Sequence, residues 1–114
     1  MITPVFHVST HLDPDAPCLR LVGELDLDGT AELHSALADC FARRSARVVL
    51  DIRGLAFCDC SGLNVLLEAK ATADRIGTEL RLAGARPQVA RLLALTGAVE
   101  VFADSVPRLP PRIS

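Results

Sequence analysis

No apolar run in this 114-residue chain approaches the roughly 18 residues that a membrane-spanning helix needs. Met1 to Thr10 has neither the basic start nor the long apolar stretch of a secretory signal. Both absences point to the cytoplasm, where the four cysteines stay reduced. A surplus of positive charge is missing too. Twelve basic and fourteen acidic residues, mixed along the chain, give a net charge of −2. No face or tail is therefore expected to follow a phosphate backbone, and nucleic acid is an unsuitable partner. Lysine occurs once, as Lys70, against eleven arginines. With abundant alanine, that bias suggests a GC-rich bacterial genome. Repeats, low-complexity tracts and any sign of a second domain are also lacking. The length suits one domain over residues 1–114, burying about two-thirds of the surface its unfolded chain would expose.

What is present alternates between strand and helix patterns. Val5 to Ser9 and Cys18 to Val22 read as two strands joined by a turn containing Asp13-Pro14-Asp15. Leu19 and Leu21 alternate with Arg20, the period-two mark of a half-buried strand. Gly23-Glu24-Leu25-Asp26 leads into a helix over 30–44, with Asp28 as its N-cap and Leu33, Leu37, Cys40 and Phe41 on one face. Val48 to Ile52 is nearly continuous in apolar and β-branched residues, as in a central parallel strand covered on both faces. A second helix runs from Ser61 or Gly62 to Ile76, with Leu63, Leu66, Leu67 and Ala71 at helical spacing and Gly77 as its C-cap. Leu80 and Leu82 mark another strand. Pro87 then opens a third helix, faced by Val89, Leu92 and Leu93, and Gly97 stops it. Val99 to Phe102 reads as a last strand, and Pro107, Pro110 and Pro111 rule out a long helix beyond it. The order β-β-α-β-α-β-α-β predicts an α/β fold. Its sheet would be mixed but mostly parallel, with four or five strands, an initial hairpin and right-handed crossovers.

Between two of these elements stands Phe57-Cys58-Asp59-Cys60-Ser61-Gly62-Leu63. A thioredoxin-type redox pair wants Cys-x-x-Cys at a helix start, and Cys58 and Cys60 are one residue too close. A structural zinc site needs four ligands, whereas Cys18 and Cys40 stand alone and suit small buried apolar positions. No metal site or cofactor is expected. A nucleophile elbow would need glycine on both sides of Ser61, with a histidine and a carboxylate placed later in the chain. Here His7, His11 and His34 all precede that serine, and no Gly-rich phosphate loop is present. Helix-terminus chemistry remains. Asp59 and Ser61 follow a parallel strand, at the carboxyl edge where open α/β sheets place their sites. Either side chain can cap the following helix. A phosphate on a hydroxyl here would be tolerated by the helix N-terminus, yet would bring roughly −1.5 to −2 charges to a small surface. Such a position is suited to switching a partner on and off.

The element order, Gly23-Glu24-Leu25-Asp26, the strand Val48 to Ile52 and above all Asp59-Cys60-Ser61-Gly62-Leu63 resemble the STAS domain of bacterial anti-sigma-factor antagonists. The resemblance runs from about Val5 to Phe102, leaving a proline-rich tail over 103–114 where the family commonly closes with a helix. It implies a protein-binding module, not an enzyme, whose partner is an anti-sigma factor that is also a serine kinase. Binding frees the sigma factor, phosphorylation of the antagonist reverses the release, and a phosphatase resets it. Asp26, Asp59, Cys60, Ser61 and Gly62 would form the recognition surface of a monomer or weak dimer. Glu24 and Asp26 equally suit a turn and helix-start pair. The family pattern is Asp-Ser-Ser-Gly or Asp-Ser-Thr-Gly, with phosphate on the hydroxyl directly after the aspartate. That position is Cys60 here, which leaves Ser61 as the phosphorylation candidate. Two alternatives stay open: a STAS scaffold without phosphoregulation in a signalling or lipid-transport assembly, and a thiol sensor using Cys60.

Overall fold

The computed structural model describes residues 6–11 and 16–102, with the backbone alone at 99 and 100. The chain runs through β1 (His7–His11), β2 (Cys18–Leu25), a 3-10 turn (Leu27–Gly29) and α1 (Thr30–Ala42). It continues with β3 (Arg47–Cys58), α2 (Cys60–Ile76), β4 (Glu79–Ala83), α3 (Pro87–Leu95) and α4 (Ala98–Val101). The strands lie in the order β1-β2-β3-β4; β1 is antiparallel to β2 and the other pairs are parallel. The expected hairpin, central β3 and mixed α/β sheet are thus present, with four strands. Val5, the Asp13-Pro14-Asp15 turn and residues 103–114 lie outside the described residues.

One apolar core joins the sheet to the helices. Leu19 and Leu21 of β2, Leu50 and Ile52 of β3, Leu33 of α1 and Leu66 of α2 are all fully buried. On α2 the buried stripe is Leu63, Leu66, Ala69 and Ala73, with Leu67 half-buried. Ala71, expected on this face, is exposed. At about 100° per residue it lies roughly 140° around the helix from Leu66, whereas positions 69 and 73 stay near that line.

Two further expectations are corrected. The last segment is helical, not a strand. Gly97 takes a left-handed φ of 76° directly after α3, and the Phe102 N–H donates to the Ala98 carbonyl at 3.1 Å. Ala98 and Phe102 are both buried while Val101 is exposed, so a four-residue spacing selects the face. The β-branched look of Val99 and Val101 is overridden by the burial of Phe102. The N-cap assignment also changes. Asp28 caps nothing; its own N–H donates to Asp26 Oδ1 at 3.0 Å, and Gly29 precedes α1 without a side-chain cap.

The second face of the sheet differs from expectation as well. In register, Cys18, Arg20 and Val22 of β2 point away from the core, beside Val49 and Asp51 of β3 and Arg81 of β4. Arg20, Val22, Arg47 and Arg53 are exposed there, so the parallel strands are not sealed on both faces. Asp51 is nonetheless only 5% exposed, because arginines enclose it. Arg53 donates from Nε and Nη2 to its two oxygens at 3.0 and 2.8 Å, and Arg20 Nε stands 3.6 Å away. The Arg53 hydrogen bonds outweigh the desolvation and hold the Asp51 carboxyl below its ordinary range. A carboxyl whose folded pKa is depressed adds stability above its unfolded value, near pH 4, and loses it as pH falls through the folded value. The thermal midpoint of wild type should therefore exceed that of Asp51→Asn at neutral pH. The gap should narrow as pH falls below about 4. A gap independent of pH would remove Asp51 ionisation as its source.

Candidate functional site

Parallel pairing brings two loops to one edge. Leu25 at the end of β2 is in register with Cys58 at the end of β3, so Asp26 and Asp59 follow neighbouring strand ends. The Asp59 N–H donates to the Leu25 carbonyl at 3.1 Å and ties the loops together. Asp59 is the N-cap of α2: its Oδ1 accepts the Gly62 N–H at 3.0 Å, and its carbonyl accepts the Leu63 N–H at 2.9 Å. Asp26 plays the same part for the 3-10 turn that leads to α1. Each aspartate therefore has a local structural task, and their adjacency is a product of the sheet. Glu24 does not belong to a turn. It is a strand residue of β2 paired with Phe57.

Cys60, Ser61 and Gly62 form the first turn of α2, one residue earlier than the sequence pattern suggested. Cys60 is exposed and Ser61 is half-buried, so the more accessible of the two positions carries the thiol. Gly62 is buried because the β2 end passes close by. A Cβ added there would meet Leu25 Cγ at 2.5 Å and Cys58 Sγ at 3.0 Å. That glycine lets α2 start against the sheet instead of above it.

The four cysteines divide by environment. Cys40 and Cys58 are buried and Cys18 is half-buried. Burial, with smaller contributions from Asp59 and Cys60, pushes the Cys58 thiol up to about 12. Burial also raises Cys18 and Cys40. Iodoacetamide in limiting amount should consequently modify Cys60 first in the folded protein, read by peptide mass spectrometry. Earlier labelling of Cys58 would mean that the β3 end opens readily.

Sequence reasoning missed Leu27. Its 3-10 turn touches α2, and its side chain is 70% exposed, directly after Asp26. The available signal was a leucine between two aspartates, which no core face required. Asp26, Leu27 and the first turn of α2 thus combine carboxylates, a large apolar side chain, a thiol and a hydroxyl on one sheet edge.

Comparison with known proteins gives the chain a family. The family model described as Mlab, STAS domain, matches residues 8–103. An anti-sigma F factor antagonist of Paenibacillus polymyxa is 31% identical over 85 residues, covering 74% of this chain and 73% of the relative. The crystal structure of an anti-sigma factor antagonist from Mycobacterium paratuberculosis superposes with a TM-score of 0.81 at 20% identity, covering 92% of this chain and 88% of that one. The Bacillus cell fate determinant SpoIIAA, solved in its phosphorylated form, gives a TM-score of 0.68 at 16% identity, covering 94% and 93%. These two likenesses are of fold. The chain belongs to the STAS-domain family of the anti-sigma-factor antagonists.

Proposed function

We propose that this chain works as a cytoplasmic, single-domain antagonist that binds an anti-sigma factor and so frees a sigma factor. The observation that carries this reading is the meeting of Asp26, Leu27, Asp59, Cys60, Ser61 and Gly62 at the carboxyl edge of β2 and β3. An exposed apolar residue beside capped helix starts suits a protein partner, and nothing at the edge forms a nucleophile–base pair. This reading makes the chain a binding module of its family. The partner would be an anti-sigma factor with serine kinase activity, and a phosphatase would reverse its action. Ser61 is the acceptor left in the motif, with Cys60 in the position where the family places the phosphorylated hydroxyl. The scaffold and thiol-sensor alternatives gain no separate observation. Among the described residues no helix is long and apolar enough to cross a membrane.

Ser61→Glu tests the surface. An acidic side chain in the first turn of α2 suits the helix dipole, so the thermal midpoint should stay within a few degrees. Affinity for the anti-sigma factor recovered from the native host by pull-down should fall by about tenfold or more, roughly 1.4 kcal/mol, because a charge enters the contact. A folded variant whose dissociation constant by calorimetry is unchanged would move the interface elsewhere.

A further inference from the structure

The outward face of the sheet, on the side opposite α1 and α2, gathers arginines that are far apart in the chain. Arg20 comes from β2, Arg47 and Arg53 from β3, and Arg81 from β4. They enclose two carboxylates. Asp51 lies between Arg53 and Arg20, as described, and Glu79 accepts from Arg47 Nε at 2.9 Å and from Arg81 Nε at 2.7 Å. Among the described residues, four guanidiniums against two carboxylates leave a surplus of two positive charges. At the rim stand one further base, Arg86, whose Nε donates to the Arg53 carbonyl at 2.7 Å, and one further acid, Glu24, paired with Phe57, which together add no net charge. With the whole chain at −2, a surplus of two here leaves −4 for the rest of the molecule. The face is thus electrically opposite to its surroundings.

The arginines are held without being used up. Their side chains remain 43–72% exposed, and each guanidinium has five N–H donors in a planar fork. Asp51 and Glu79 fix the forks in place and leave donors facing outward. Between them lie apolar Val22, 40% exposed, and half-buried Val49, with Phe57 towards the carboxyl rim. Parallel strands are seldom left open on a face, since their helices usually cover both.

We propose that this face is a docking surface for a carboxylate-rich patch of a second protein, separate from the Asp26 and Asp59–Gly62 edge. Oriented arginine forks match incoming carboxylates two bonds at a time. Arginine and aromatic side chains set among apolar ones are the composition of protein interface cores. A phosphate polyanion is matched less well, because Asp51 and Glu79 sit inside the basic area and would repel its charge. Two copies of this chain pressed face to face would oppose like charges.

The test uses the full chain, isotopically labelled, and a short synthetic peptide alternating glutamate with leucine. Amide shifts at Arg20, Val49, Asp51 and Arg81 are expected to mark the bound face. The glutamine–leucine peptide of equal length should leave these amides in place. Arg20→Ser with Arg81→Ser should weaken binding about tenfold, whereas Ser61→Glu should leave it unchanged, separating this face from the anti-sigma surface. Should the double variant fail to fold, the glutamate-against-glutamine comparison on wild type decides. Shifts confined to other elements, or equal shifts with the neutral peptide, would overturn the proposal. So would tighter binding of this face to duplex DNA or phosphatidylglycerol vesicles at the same salt, or its occlusion by a second copy as protein concentration rises.

Discussion

Cys60→Ser is expected to take up phosphate from a cognate kinase on the order of 10²-fold faster than the wild-type chain, the loss that a misplacement of about 1 Å at a reacting centre produces. The variant restores Asp-Ser-Ser-Gly at residues 59–62. Cys60 is the exposed residue of the first α2 turn, and Ser61 is half-buried behind it. A sulfur there is larger, sits on a longer bond and is a poor acceptor in phosphoryl transfer tuned to a hydroxyl. The wild-type chain should thus label slowly or not at all, with any phosphate on Ser61. Wild type, Cys60→Ser and Ser61→Ala, incubated with one kinase and radiolabelled ATP, give the comparison. Rapid labelling of wild type that disappears in Ser61→Ala would make Ser61 a working acceptor and sink the idea of a disabled switch. No labelling of any of the three, by a kinase shown to bind wild type, would favour the scaffold reading.

Leu66→Ala should lower stability by about 2–5 kcal/mol in chemical denaturation. Leu66 is fully buried in the core shared by α2 and the sheet, and its removal leaves a cavity bordered by elements that cannot collapse independently. The same helix positions Asp59 and Ser61, so a loosened α2 should also weaken partner binding, by less than Ser61→Glu does. A loss below about 0.5 kcal/mol would match a surface substitution and would contradict the burial of this side chain.

Where local physics and tertiary structure agree, the sequence was sufficient. Leu19 and Leu21 alternating around Arg20, the apolar run at Val48 to Ile52 and the Pro87 and Gly97 boundaries of α3 each express a period or a backbone constraint. Those signals survive folding because they describe what a segment must bury or cannot adopt. Asp59-Cys60-Ser61-Gly62 was legible in the same way, as a strand end followed by a helix start. The failures lie where a distant residue decided the outcome. Val99 to Phe102 looked like a strand until the burial of Phe102 four residues after Ala98 chose a helix. Asp28 looked like a cap until β2, extending to Leu25, put Asp26 in the capping position.

The largest difference concerns charge. Along the chain, basic and acidic residues are mixed without any long basic tract, and no basic face was expected. Strand pleating sends Arg20, Arg47, Arg53 and Arg81 to one side, and parallel pairing sets those strands next to each other. Parallel pairing likewise put Asp26 beside Asp59, which are 33 positions apart in the chain, and left Leu27 exposed next to them. The sequence by itself determined the elements, the core stripes and the motif at the start of α2. Only the tertiary structure decided which charges share a face and which loops share an edge, because strand order and register are set by contacts between distant segments, not by any local period.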